Sequence, residues 1–302
     1  MENSLSLAAF RCWNAHLKPF LVASLLGILA GACFSGLARA APGPASASAT
    51  TGLSESATAS QHVAAAGRIR QHAERLAKLY QQIGMGLDSE KAWRQIEASR
   101  RQIDAELAGL RRTGLTEKTA ALIERLGQGW EELKRDTAPP YSPQNRQNVF
   151  IQADALAMMS GKLATQFELH TSAPTARLLD LALRQNMLAQ RLARFYLMAY
   201  AGDKTAGLLV DIEQARREFS SALNELIGAG ENTESNRRTL ELARVQWVFF
   251  EQSIFGMKDR NTANPMTVAT SSERILEVLD DLSMQYANAI TSNSSAKKRD
   301  NS

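Results

Sequence analysis

Between residues 53 and 291, turn residues cut the chain into eight segments of helical length, and no segment alternates apolar and polar residues with β-branched enrichment. Such a chain has no strand from which to build a sheet. It must bury its apolar stripes helix against helix. Asp88-Ser89, Thr116, Asp203, Thr233 and Asn264-Pro265 read as helix starts. Ser142-Pro143 reads as an N-cap followed by proline at the first helical position, and Pro174 ends or kinks the segment before it. The spacing predicts helices over 53–86, 89–112, 116–136, 143–171, 174–201, 203–228, 233–257 and 265–291.

The first four segments recur in the last four. Glu74–Tyr80 lies over Gln190–Tyr196 at an offset of 116 (75 to 191), and Leu163–Phe167 lies over Leu282–Tyr286 at an offset of 119 (163 to 282). Trp130 and Trp247 hold matching places between these anchors. Four helices on short connections form an up-down-up-down bundle. The expected fold is therefore all-α, as two tandem up-down four-helix bundles over 53–172 and 173–291. Residues 41–52, small and polar with two prolines, read as a flexible tether, and 292–302 as a disordered tail.

Arginines thread a helix rich in large apolar residues, 174–201. Leu178, Leu181, Gln185, Leu188, Leu192, Phe195 and Ala199 advance by three and four along one core-facing stripe. The next stripe is Arg184, Met187, Arg191, Arg194 and Met198, and its counterpart in the first repeat is Arg68, Gln71, Arg75, Lys78 and Gln82. Two readings stand. Long basic side chains can cover apolar surface and carry their heads to water, some of them pairing with Glu or Asp on the next helix. Alternatively, guanidiniums at a seam can meet across a dimer axis and hold a small planar oxyanion, which would relieve their mutual repulsion.

The stretch Arg184, Gln185, Met187, Leu188, Gln190, Arg191 resembles the opening helix of the type IV pilus chemotaxis-transducer N-terminal domain (PilJ type), whose signature is close to G-R-Q-R-M-L-S-Q-R-x-A-K. Leu183, Asn186 and Ala189 depart from that signature, while the first repeat keeps Gly67, Arg68, Arg70 and Arg75. The family is similar in turn to the periplasmic sensor domain of nitrate/nitrite sensor kinases. That resemblance implies a four-helix bundle binding an anion at its dimer interface, with the anion-holding arginine at Arg70 in the first repeat and Asn186 in its place in the second. The candidate ligand-binding residues are then Arg68, Arg70, Arg75, Arg184, Gln185, Asn186 and Arg191. The implied partners are a small anion such as nitrate, a membrane receptor or sensor kinase, and a second copy of the chain.

The N-terminus reads as an export signal over 1–40: Arg11 and Lys18, the apolar run Phe20–Phe34, then Ala38-Arg39-Ala40 before a cleavage point. Fifteen apolar residues fall short of the ~20 that span a bilayer. An uncleaved anchor and lipidation at Cys33 are the alternatives. The expected location is the periplasm. Both cysteines, Cys12 and Cys33, lie in the leader, so the mature chain would have no disulfide and no thiol chemistry. No second span follows residue 290, and the chain reads as a sensor-type module without its own signalling domain, or as a ligand-free structural or adaptor protein of the envelope.

Other functions find little support in the sequence. A net charge of +4 and 6% aromatics give no nucleic-acid footprint. His62 and His72 are ten residues apart, about 80° out of phase on a helix, so they do not form a helical metal pair, and His72 reads as a core histidine. No glycine-rich phosphate loop or nucleophile motif is present, so no cofactor or catalytic residue is assigned and the chain is read as a non-enzyme. Adjacent pairs such as Asp280-Asp281 and Glu131-Glu132 diverge by about 100° on a helix and read as solvated. Trp130 and Trp247 read as core anchors.

Overall fold

Eight helices carry the whole described structure, a computed structural model that covers residues 46–112, 116–171, 174–255 and 263–300. They are α1 (Ser46–Gly84), α2 (Ser89–Arg111), α3 (Glu117–Asp136), α4 (Arg146–Glu168), α5 (Pro174–Tyr200), α6 (Ala206–Gly228), α7 (Glu234–Phe255) and α8 (Pro265–Asp300). Among the described residues there is no strand, and the fold is an all-α helical bundle. Thr50–Ser302 pack as one compact unit, whereas of Met1–Ala49 only residues 46–49 are described. The leader expected over 1–40 lies outside the described residues. No described helix is long and apolar enough to cross a membrane.

Local chemistry explains most of the helix ends. Thr116 caps α3 by accepting from the Thr119 amide, and Thr205 caps α6 by accepting from Leu208. Asp203 does not open α6 itself. Its Oδ1 accepts from the Thr205 amide and so sets up the true cap two residues later. Asn264 accepts from the amides of Met266 and Thr267 at the start of α8. Ser142 does not cap α4, because the Tyr80 hydroxyl binds both its carbonyl (3.0 Å) and its amide (2.9 Å) and holds it in a turn. The helix starts four residues later, at Arg146.

Both ends of the chain are more helical than expected. α1 begins at Ser46, inside the segment read as a tether, and α8 runs to Asp300 through the segment read as a disordered tail. Extending a helix that is already nucleated costs little where Ala and Ser follow without proline. On the N-terminal side Pro44 is the nearest proline before α1, and residues 292–300 contain neither Gly nor Pro.

Two apolar cores form. Residues of α1 to α4 enclose one, from Val63 and Ile69 to Trp130 and Phe167. Residues of α5 to α8 enclose the other, from Leu178 to Tyr286. Trp130 is buried with its Nε1 donating to Asp104 (2.7 Å), and Trp247 stacks on Phe219 with ring centroids 4.0 Å apart. His72 is held by Ser99 Oγ at 3.3 Å. Burial, with help from Arg75 and Arg68, lowers its pKa to about 3, so it stays neutral.

Candidate functional site

α1 and α5 run parallel, side by side, between the two cores. Pairs in contact along them sit a nearly constant distance apart in sequence: Asn186 Nδ2 donates to Gln71 Oε1 at a separation of 115, and Arg191 donates to Glu74 at 117. Small residues let the helices approach. Ala64, Ala65, Ala66, Ala73 and Ala77 are buried on α1, as are Ala182, Ala189 and Ala193 on α5. Closest of all is Gly67, where a Cβ would lie 2.6 Å from Leu183 Cδ1 and 2.9 Å from Leu183 Cβ. Each helix also packs across the seam on the last helix of the other group: α1 on α8, through Arg75 and Glu273, and α5 on α4, through Arg194 and Asp154.

Charged side chains line this seam and are answered by carboxylates. Arg191 reaches Glu74 (Nη2–Oε1 2.5 Å) and Asp154 (3.2 Å). Arg194 reaches the same two acids at 3.2 and 2.7 Å, with its guanidinium 5.2 Å from the Phe150 ring and 5.0 Å from the Phe195 ring. On the other side Glu273 takes Arg75 (2.5 Å), Lys78 (2.6 Å) and the Gln95 amide (2.9 Å). Arg75 and Lys78 stand 116 positions before Arg191 and Arg194, and Asp154 stands 119 before Glu273. These are the two offsets that relate the segments in the sequence. Arg70 donates to the Asp180 carbonyl (3.2 Å) and carboxylate (3.0 Å). Asp280 Oδ1 accepts from Gln71 Nε2 (3.1 Å) and Asn186 Nδ2 (2.8 Å).

The seam is balanced in charge. Arg70, Arg75, Lys78, Arg191 and Arg194 face Glu74, Asp154, Asp180, Glu273 and Asp280. Burial works against ionisation of Glu273, but Lys78 and Arg75 outweigh it and bring its pKa down to about 2. Burial also works against charge on Asp154, where Arg194 and Arg191 prevail and lower its pKa. Asp280 goes the other way. Burial dominates, the Gln71 hydrogen bond and Arg75 only partly offset it, and the pKa rises to about 6.

The seven residues singled out in the sequence divide into three groups. Arg70, Arg75, Asn186 and Arg191 meet in the seam. Gln185 is fully buried on α5 with neither amide atom hydrogen-bonded. Arg68 and Arg184 lie on the flanks instead, paired with Glu106 of α2 and Glu218 of α6. Each guanidinium is one helical face away from the α1–α5 contact, as a heptad neighbour of a core stripe must be.

Sequence reasoning expected acids on a neighbouring helix but did not identify them. Asp280, read as solvated, stands in the seam, because the partner that buries it comes from another helix. The offset of 119 that aligned Leu163 with Leu282 also aligns Asp154 with Glu273, and it was the available signal.

Several buried polar atoms here have no hydrogen-bond partner: Arg70 Nε, Asn186 Oδ1, Gln190 Oε1 and Arg194 Nε. Among the described residues no group of His, Cys, Asp or Glu is placed to hold a metal ion. No curated protein and no solved structure matches the chain. The motif-like text of α5 lies outside the one stretch that a family model matches. That stretch is residues 52–157, roughly a third of the chain, and it is similar to the family model PilJ, described as type IV pili methyl-accepting chemotaxis transducer N-term.

Proposed function

We propose that the chain is an exported, periplasmic sensor-type module, in which two repeats of a four-helix bundle pair through α1 and α5 as an intrachain pseudo-dimer and take a small polar ligand at that seam. One observation carries the reading. Arg70 Nε, Asn186 Oδ1, Gln190 Oε1 and Arg194 Nε are buried on the two seam helices with no partner. A buried polar group left unpaired costs about 1–3 kcal/mol, so a small guest that meets one of these atoms gains what the seam alone does not supply. The PilJ match over 52–157 supports the sensor class, and the offsets of 116 and 119 between the two ionic clusters support the pseudo-dimer. A nitrate-like anion would use Arg70, whose counterpart in the second repeat is Asn186. Such an arrangement offers one guanidinium where a symmetric dimer offers two.

A second reading is a ligand-free adaptor that docks on a membrane receptor of the envelope. The matched charges of the seam favour it, since five cations facing five carboxylates leave no surplus field to draw in an anion. Calorimetric and thermal-shift titration of the purified chain with nitrate, nitrite and small carboxylates decides between them. A ligand at 100-fold over its dissociation constant raises stability by about 2.7 kcal/mol. That gain should vanish in Arg70→Gln. No heat and no melting shift at millimolar concentration would remove ligand binding and leave the adaptor.

A further inference from the structure

Apolar residues scattered singly over a surface are ordinary, but four on one side of one helix are not. Leu242, Val245, Val248 and Phe249 of α7 are between 40% and 58% exposed. Leu242, Val245 and Phe249 advance by three and four, so they form one stripe about two turns long, with Val248 on its shoulder. α3 holds the matching place in the first four helices, with Trp130 at an offset of 117 from Trp247 (130 to 247). At that same offset its outward residues are Arg125, Gln128, Glu131 and Glu132, all exposed. One outer face suits water and its counterpart does not.

The apolar face also carries its own complement in charge. α7 and α8 run antiparallel, with Thr239 beside Asp281 and Asn236 beside Gln285. Continued along both helices, that register sets Val245 level with the midpoint between Arg274 and Glu277 on α8. Arg274 and Glu277 are exposed, opposite in sign, and make no ion pair or hydrogen bond among the described residues. A groove of about 470 Å³ runs between the helices, lined by Phe249 from α7 and Arg274 from α8, and its other lining side chains are Gln, Ser and Thr.

We propose that this face is a self-association surface, on which a second copy of the chain docks across a twofold axis beside Val245. The axis lies in the plane of the face at right angles to the helices, so α7 meets the partner's α7 and α8 the partner's α8, both antiparallel. Val245 then meets the partner's Val245, and Leu242 comes level with the partner's Val248 and Phe249. Arg274 meets the partner's Glu277, and the reverse pair forms by symmetry. One operation covers the whole stripe and pairs both idle charges. The charged residue of the groove is the one that acquires a counter-ion, so no charge is buried alone. Because α3 presents charges where α7 presents the stripe, the contact is made once per chain and closes at two copies. The face is two helices wide and as long as the 22-residue α7, about 20 by 33 Å, or about 650 Å² on each copy. Specific interfaces bury about 1,200–2,000 Å² in total, so this one falls at the lower end and its dimer depends on concentration. The inference goes beyond the seam and does not require it to bind a ligand, since α1 and α5 stay paired within each copy.

Sedimentation equilibrium of the purified chain, from low micromolar to near-millimolar concentration in buffer free of candidate ligands, tests it. The weight-average mass should climb from that of one chain toward twice that value and no further. Val245→Arg sets two like charges against each other on the axis and should weaken association by about tenfold or more. Arg274→Glu and Glu277→Arg should each weaken it as well, while the double variant, with the signs exchanged, should associate as the wild type does. These positions are exposed, and melting temperatures in dilute solution report whether each variant folds. Should Val245→Arg not fold, the charge exchange carries the test by itself. A mass that stays at one chain over the whole range, a dimer indifferent to Val245→Arg, or a double variant as weak as the single ones overturns the proposal. The ligand titrations address another part of the molecule, so a monomer here leaves them to stand or fall separately.

Discussion

Gly67 of α1 lies directly beneath Leu183 of α5, and these two residues occupy matching places in the two repeats at the offset of 116 (67 to 183). In a parallel helix pair, matching positions touch only where the axis relating the helices passes between them. Gly67 and Leu183 mark that point. One side must be small if the other is large, and here the chain uses glycine against leucine. A methyl group on Gly67 would stand 2.9 Å from Leu183 Cβ, an atom that rotamer change cannot move. Gly67→Ala should therefore force the helices apart at a cost of about 1–3 kcal/mol despite alanine's better helix propensity. Denaturant unfolding of the single variants and of Gly67→Ala with Leu183→Ala measures it. The double variant should recover part of the loss. If Gly67→Ala is neutral or stabilising, the helices are not in contact there.

Glu74 makes the next contact along the seam, and it is the most enclosed of the acids, with a side chain at 0% exposure between Arg191 and Arg194. Replacing it with glutamine keeps the shape and removes the charge. The two guanidiniums would then share Asp154, which lies 46% exposed at the edge. Breaking one member of a buried ionic cluster costs about 3–5 kcal/mol. Glu90→Ala removes an acid that pairs with Arg94 on the surface of α2 and should leave the melting temperature unchanged. Equal effects from the two variants would mean that the seam is wetter than its geometry implies.

Stability should pass through a maximum in mild acid, because two seam carboxylates are shifted in opposite directions. Glu273 has a pKa of about 2 against 4.5 unperturbed. Its contribution is present above pH 4.5 and is lost as pH falls through 2. Asp280, raised from 3.8 to about 6, contributes fully below 3.8 and loses that contribution as pH rises through 6. Each shift corresponds to about 3 kcal/mol. Melting temperatures measured from pH 2 to 8 should peak at about pH 4 to 6. Glu273→Gln should flatten the acid limb and leave the neutral limb in place. A profile that rises steadily from acid to neutral pH would show that Asp280 is ionised at ordinary aspartate values.

The fold was legible where local chemistry decides it. Thr116 and Thr233 announce their helices, Pro174 marks a helix start in the sequence and in the structure, and helix ends elsewhere moved by a few residues for reasons that lie in single hydrogen bonds such as Tyr80 to Ser142. The site was half legible. Arg70 and Arg75 stand beside the core stripe of α1, Asn186 and Arg191 beside that of α5, and helical spacing finds them. Their partners do not share the same helix. Asp154 and Glu273 come from α4 and α8, and no periodicity on one helix reveals that another helix lies across it. Counting one face gave a row of cations, and of the two readings it left open the packed structure carries the pairing of these cations with acids on neighbouring helices.

Asp154 and Glu273 test how far the two repeats remain equivalent. Each acid holds a pair of cations from the other group of four helices, and the two acids match at the offset of 119. Exposure separates them, since the Asp154 side chain is 46% exposed and that of Glu273 15%. Water screens the first and not the second, and Glu74 shares the work of Asp154 while Glu273 alone answers both Arg75 and Lys78. Asp154→Asn should cost less than about 1 kcal/mol, within the range of exposed pairs. Glu273→Gln leaves the fully buried Lys78 ammonium unpaired and should cost about 3 kcal/mol or more, with Glu273→Gln plus Lys78→Met recovering much of it. Urea unfolding of the three variants gives the comparison. Equal losses for the two acids would require Asp154 to be as enclosed in solution as Glu273, and would make the seam symmetric in energy as well as in sequence.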